Sequence, residues 1–344
     1  MSTLTPPKYR VLGVEKTKAL LDLFKGEKTG WVQVGEKNWL FPYRYAEQGE
    51  GFFNFEARPS DVWVLSYPRS GTTWTQELVW LVANDMDFDT ANTRLLAERF
   101  PFLEFSMFHH PELTKEFLEH NKLDAKKQEL CKELAKPGYE VLANMPSPRF
   151  IKSHFPFSLI PNVVNSGCKM IYVARNPKDV AVSWYKLNQA FLTQGYVGDF
   201  AQFWKFFKND LTAWSPYWEH LKEAWDNRKN ENLLFIFYEE LQENLRDVIE
   251  RVAKFLGKAY SMEQVDRLVD HLSIDNFRKN LMVNTQELKD CGIVRKESEF
   301  VRRGVSGGWK DYFTDELEIE ADEWIEKSLK DTDLRFPLTN NNWF

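Results

Sequence analysis

Residues 62–86 constrain this chain more than any other stretch, because they set a buried strand, a tight polar loop and an apolar-faced helix in immediate succession. Val62, Trp63, Val64 and Leu65 form a nearly all-apolar run, the pattern of a strand covered on both faces of a parallel sheet. Pro68 and Gly71 break that run. From Thr73 onward, Trp74, Leu78, Leu81 and Val82 recur at the spacing of one helix face. The loop between them sits at a helix N-terminus, where unpaired backbone N–H groups and the positive end of the helix dipole suit an anion. Arg69, Ser70, Thr72 and Thr73 add a cation and three hydroxyls, and Gly71 lets a ligand approach the backbone closely. An ordinary polar turn is the bland alternative; the density of cation and hydroxyl groups favours a phosphate-like ligand.

The same strand, turn and helix pattern recurs downstream. Arg149 to Pro156 reads as a short strand stopped by Pro156. Lys169 to Ala174 is another strand, leading to Asn176 as a helix cap with Pro177 in the first turn and Asp179 complementing the dipole. Leu233 to Phe237 is followed through Tyr238 by a helical pattern ending at Gly257, and Ser261 with Gln264 forms a capping box for the next helix, running to His271. A last helix carries Leu317, Ala321 and Trp324. Alternation of this kind predicts a single α/β domain over residues 1–344, with a mainly parallel central sheet flanked by helices. Residues 1–57 read as a peripheral N-terminal segment, and 86–148 as a charged, helix-prone insertion and possible lid.

Composition limits the partners. A formal net charge of −6 gives no broad attraction to nucleic acid or anionic membrane, so an anionic ligand needs local cations. Three cysteines without metal-type spacing point to free thiols, and with no long apolar segment to a cytoplasmic protein. His109 and His110 invite a metal reading, yet no carboxylate or Cys stands at ligand spacing beside them, so an exposed loop before Pro111 is the better reading and no metal is expected. The 13 Trp and 27 Phe fit an aromatic-rich core or an aromatic-lined cavity.

Strand ends of a parallel sheet share one edge, where ligands collect. Three polar ends therefore converge: Arg69 to Thr73, Lys152 to His154, and Arg175 with Ser183 further along the next helix. The first loop lacks the leading Gly and the Lys of the GxxxxGK[ST] nucleotide loop, and no magnesium-binding carboxylate stands at a strand end, which disfavours kinase chemistry.

YPRSGTTW, KSHFP, YVARNPKDVAVSWY, FYEEL and FVRRGVSGGWKDYF, in this order from about Phe55 to Pro337, resemble the cytosolic sulfotransferase family, closest in pattern to insect members such as retinol dehydratase. The resemblance implies a five-stranded parallel sheet with a P-loop-like phosphosulfate site. It also implies transfer of a sulfuryl group from 3′-phosphoadenosine 5′-phosphosulfate (PAPS) to a hydroxyl or amine of a small apolar acceptor such as a phenol, steroid, retinoid or catecholamine. On the residues that match, Arg69, Ser70, Gly71, Thr72 and Thr73 would hold the phosphosulfate and Trp74 would stack on adenine. Arg175 and Ser183, joined by Arg302, Arg303 and Gly304, would bind the 3′-phosphate, and Tyr238 would contact adenine. His154 would be the base, with Lys152 and Arg69 stabilising the transferring group. An imidazole with an unperturbed pKa of about 6.5 suits that role.

The chain departs from the family pattern in places. Arg69 stands where Lys is usual, Leu272 and Ile274 where Thr and Phe are common, and Gly308 replaces an Asp. The dimer motif KxxxTVxxxE keeps Lys310 and Thr314 but has Asp315 and Ile319 instead of its Val and Glu, so a homodimer through it is doubtful. The stretch between Trp74 and His154 is longer than in typical vertebrate members, which is why 86–148 is read as a lid over the acceptor. Phe102, Phe105, Phe108, Phe155 and Phe191 are candidates for the acceptor wall. Two other functions fit the same motifs: a dehydratase that sulfonates an allylic alcohol and then eliminates, and a PAPS-binding module without catalysis.

Overall fold

The computed structural model describes residues 4–301, 304 and 306–337. Its centre is a parallel sheet in the order β5-β4-β6-β7, formed by β4 (Val62–Leu65), β5 (Phe150–Ser153), β6 (Lys169–Ala174) and β7 (Leu233–Phe237). Four strands are paired in this sheet among the described residues, against the five that the family resemblance implied. Leu65 lies opposite Ser153 on one side and Tyr172 on the other, so the ends of three strands reach the same edge.

Side chains alternate across this sheet, and both faces are covered. Trp63, Leu65, Ile151, Met170 and Tyr172 enter one core; Val62, Val64, Phe150, Ile171 and Val173 enter the other. A second, antiparallel sheet packs into the first core. It comprises β1 (Tyr9–Val11), β2 (Trp31–Val34) and β3 (Trp39–Pro42), and is followed in the chain by α2 (Tyr45–Phe53). The N-terminal segment is therefore not peripheral. Trp39, Leu40 and Phe41 form an apolar run with no polar face, and burial between the sheet and Phe155 is where such a run belongs. The N-terminal segment also holds a helix, α1 (Val14–Leu21).

Helix α3 (Thr72–Ala83) begins at Gly71, as the apolar spacing predicts, and buries Leu78, Val79, Leu81 and Val82. The insertion holds α4 (Pro111–His120), α5 (Ala125–Ala135) and α6 (Gly138–Ala143). It is anchored at its end by Arg149, whose guanidinium binds both carboxylate oxygens of Asp61 at 2.9 and 2.6 Å and donates to Leu142 O. Helix α7 (Pro177–Ala190) is capped by Asn176, whose side chain accepts from Lys178 N at 2.9 Å. The helical pattern after Tyr238 divides into α8 (Tyr238–Glu243) and α9 (Leu245–Phe255), because Asn244 leaves the helical region and its side chain caps the second helix. The capping box expected at Ser261 opens α10 (Met262–His271), and α11 (Asp315–Leu329) starts at Thr314 with Ile319 exposed.

Candidate active site

The sheet edge opens into one cavity of about 650 Å³. Arg69, Gly71, Thr72, Thr73, Trp74, Arg175, Ser183, Tyr238 and Gly304 line it, together with Lys152 and His154. Arg302 and Arg303 lie outside the described residues. The fold thus gathers nearly all of the expected donor residues and the expected base around one space.

The loop has the conformation that its residues anticipate. Gly71 has φ +101°, and a Cβ there would come within 2.5 Å of the Tyr238 ring, so only glycine fits. Arg69 also lies in the left-handed region at φ +71°. Its Nε donates to Ser183 Oγ at 2.9 Å and its Nη2 to Phe300 O at 3.2 Å, which ties the loop to α7 and to the segment before Gly304. Arg175 donates to Arg69 O at 3.2 Å, and its guanidinium lies 4.1 Å from the centre of the Tyr238 ring. Trp74 meets Tyr238 edge-on at 5.9 Å and donates its indole N–H to Leu272 O. Ser70 Oγ is buried without a hydrogen-bond partner among the described residues. Two cations, backbone N–H groups and a position that excludes any side chain make this end of the cavity fit for a phosphate-bearing ligand.

His154 is held from three sides. Its Nδ1–H donates to Ser66 O at 2.8 Å, a carbonyl that can only accept, which assigns the tautomer and leaves Nε2 as the basic nitrogen. Its backbone N–H donates to Glu104 Oε1 at 2.5 Å, and its carbonyl accepts from His220 Nε2 at 2.8 Å. Burial, then the charge of Lys152, lowers the His154 pKa well below the ordinary value, so the ring is neutral at pH 7. Burial also brings Lys152 down to about 8, against the opposing pull of Glu104. Glu104 is fully buried, and loss of hydration raises its carboxyl to about 8.

The rest of the cavity is largely apolar, with Gln76, Glu133 and Gln194 among its polar lining. Phe102, Phe105, Phe108 and Phe191 line it as expected. Phe155 does not: it sits in the core against Phe41, Tyr45 and Phe52, because it follows His154 on the opposite side of the extended chain. Leu130 and Leu134 of α5, with Val141 and Leu142 of α6, supply wall from the insertion. Glu104, Ser66, His220 and Trp214 were not anticipated as site residues. A lone acid in the aromatic run Phe100 to Phe105 was the available signal for Glu104; the carbonyl of Ser66 leaves no mark in a sequence. His110 bonds Thr29 and caps α4, while His109 is buried beside Phe105.

Comparison with known proteins agrees with this geometry. The family profile described as Sulfotransferase domain matches residues 59–333. Luciferin sulfotransferase of Photinus pyralis is 34% identical over 90% of this chain and 81% of its own length. Sulfotransferase 1B1 of Mus musculus is 32% identical over 86% of this chain and 91% of its own. Among solved structures, retinol dehydratase in a complex with retinol and PAP superposes with a TM-score of 0.91 at 38% identity, covering 97% of this chain and 99% of that one. The same enzyme with androsterone and inactive cofactor PAP gives 0.90.

Proposed function

The chain belongs to the sulfotransferase family, and on that footing we propose that it transfers the sulfuryl group of PAPS to the hydroxyl, or amine, of a small apolar acceptor, with His154 as general base. PAPS is the donor, as throughout the family, and structural relatives were solved with PAP. When bound, it supplies an electrophilic sulfur and a phosphate leaving group.

The chain's own groups account for the rest. Arg69 to Thr73 would hold the phosphosulfate, Arg175, Ser183 and Gly304 the 3′-phosphate, and Trp74 with Tyr238 the adenine. The closed space above Gly71 and the convergence of Arg69 and Arg175 support this assignment. The single observation that carries the catalytic reading is the bond from His154 Nδ1–H to Ser66 O, which orients Nε2 as an acceptor beside Lys152. A neutral imidazole can take the acceptor's proton as its oxygen attacks, while Lys152 and Arg69 supply fixed positive charge to the oxygens around sulfur. No covalent enzyme intermediate is needed.

The decisive experiment compares wild type with His154→Ala in a screen of phenols, steroids, retinoids and catecholamines with labelled PAPS. The variant should lose turnover by a factor of about 10² or more while PAP binding persists. Unchanged turnover would overturn His154 as the base, and PAP binding without turnover by the wild type would leave only a PAPS-binding module. The likeness to retinol dehydratase favours a second outcome with an allylic alcohol, namely sulfonation followed by elimination. Product analysis separates a stable sulfate ester from an anhydro product.

A further inference from the structure

One amide stands apart in the apolar end of the cavity. Helix α7 runs along the wall: Ser183 lies at the donor end, Trp184 and Leu187 follow, and Phe191 and Gln194 line the cavity just past the end of the helix. At about 1.5 Å of rise per residue, Phe191 sits about 12 Å along the axis from Ser183. On the other side, Trp214 stands 5.4 Å from the His154 ring, Phe108 stacks on Trp214 at 4.7 Å, and Gln194 adjoins Phe108 around a small second pocket. Gln194 therefore lies beyond two aromatic rings from the base, at the end of the cavity remote from the donor loop.

Gln194 is only 6% exposed and Thr193 beside it 3%. The Thr193 hydroxyl donates to Gln194 Oε1 at 2.7 Å, which fixes the amide and leaves its nitrogen as the outward group. Nε2 has no hydrogen-bond partner among the described residues, and it is not one of the polar atoms sealed away by them, so its N–H groups face the space that the residue lines. The backbone beneath it is clamped. Gln194 O accepts from Gly26 N at 3.0 Å, Gln194 N donates to Phe191 O at 3.2 Å, and Leu192 N donates to Ile293 O at 2.9 Å. A Cβ on Gly26 would come within 2.1 Å of Thr193 O, so the N-terminal segment closes directly against this loop. Other polar groups of the lining are engaged: Gln76 donates its amide nitrogen to Phe100 O, and Glu133 pairs with Lys136. A desolvated donor held in place in an apolar wall selects a ligand that brings it an oxygen and rejects one that does not.

We propose that Gln194 is a specificity-determining residue that binds a second oxygen, carbonyl or hydroxyl, at the far end of the acceptor. The preferred acceptor is then an elongated apolar alcohol with an oxygen at both ends. This inference rests on the sulfotransferase reading above and narrows the acceptor class of that same site.

The test uses full-length protein, saturating PAPS, 1-dodecanol and a set of its derivatives in which a ketone is moved carbon by carbon along the far half of the chain. In wild type the ketone should raise kcat/KM about tenfold at one or two adjacent positions and lower it elsewhere, since one well-placed hydrogen bond is worth roughly that factor. Gln194→Met, which keeps the length of the side chain without the amide, should flatten this peak to within twofold of dodecanol while the KM for PAPS stays within twofold of wild type. A loss of packing alone would depress the whole series together and leave the peak. A flat series in wild type, or a peak that survives in Gln194→Met, overturns the proposal. If that variant does not fold, Gln194→Asn, which retracts the amide by one methylene, should move the peak along the chain, and an unmoved peak overturns it equally. Failure of the whole series to bind PAP-loaded protein that still sulfonates short phenols also overturns it, because the acceptor space would then not reach Gln194. Absence of any transfer together with absence of PAP binding would instead defeat the sulfotransferase reading, and this inference with it.

Discussion

The Glu104 carboxyl oxygen Oε1 accepts the backbone N–H of His154 at 2.5 Å, from a position 50 residues earlier in the chain and with no exposure of its own. This contact fixes the peptide that carries the base, while Ser66 fixes its ring and His220 its carbonyl. Glu104 is a positioning residue: it touches no ligand-lining space, but the direction of His154 depends on it. Glu104→Gln keeps the shape and one acceptor oxygen, and should lower kcat about tenfold with little change in the KM for PAPS. The same variant has a stability signature. Burial raises the Glu104 carboxyl from 4.5 to about 8, so across that interval the folded protein holds a proton that the unfolded chain has released. The stability it contributes is complete below pH 4.5 and is lost as pH rises through 8. Thermal melts of wild type and variant from pH 5 to 8 should therefore shift steadily in favour of the variant; parallel curves would refute the assignment.

Lys152 and His154 set opposite edges of the pH–rate profile. Both are shifted down by burial: His154 well below its ordinary value, Lys152 to about 8. For His154 the catalytically useful neutral form then persists into acid, so the acid limb of kcat/KM for PAPS should lie well below the ordinary imidazole range. For Lys152 the useful cationic form is lost early, so the alkaline limb should begin near pH 8. Lys152→Arg keeps the charge at every accessible pH and should abolish that alkaline limb, whatever its effect on the plateau.

Arg69 donates from separate nitrogens of one planar guanidinium to Ser183 and to Phe300, a spread that the single nitrogen of a lysine does not reproduce. Its Nε and Nη2 reach Ser183 Oγ and Phe300 O, so the donor loop, α7 and the segment before Gly304 are joined through a single side chain. Arg69→Lys should retain activity within about tenfold, because the charge remains, but should raise the dissociation rate of PAP as the tie to Phe300 is lost. Arg69→Met removes the charge and should cost about 10² to 10³ in kcat, the usual loss when one group stabilising developing negative charge is deleted. Steady-state rates and PAP release by stopped flow read the two effects separately.

The donor loop was legible because its logic is local. An apolar strand, a glycine that must be left-handed and an amphipathic helix lie within a few residues of one another, and Gly71 alone fixes the turn. His154 and Lys152 could be placed at the sheet edge because they end a strand in a recurring pattern, and their roles followed from the resemblance of KSHFP to the family motif. Glu104, His220 and Trp214 were not, since each reaches the base across a long loop or from another element, and two of them act on backbone atoms that no sequence pattern marks. The burial of the N-terminal sheet leaves no sequence mark for a related reason. Trp39 to Phe41 is too short to show a period, and only its partners across the fold explain its burial. Phe155 likewise looked like wall because of its neighbour in sequence, although successive residues of an extended chain face opposite ways.

Whether the insertion acts as a lid turns on what its apolar face does. Helix α5 carries five charged residues among eleven, yet Leu130 and Leu134 line the cavity and Cys131 is buried against Cys291 and Leu288 in a small separate core. A surface helix with no role at the cavity would keep such residues only for packing, and truncating them would then affect stability alone. If the helix roofs the acceptor instead, Leu130→Ala and Leu134→Ala should each raise the acceptor KM severalfold, with the double variant near the product of the two, while the KM for PAPS stays within twofold. The effect should grow with the length of the acceptor, because short alcohols bound near His154 would not reach the roof. A pair of acceptors differing only in chain length, compared across the three variants, separates these outcomes: equal sensitivity for both lengths would make α5 a packing element, and selective loss of the longer one would make it the lid.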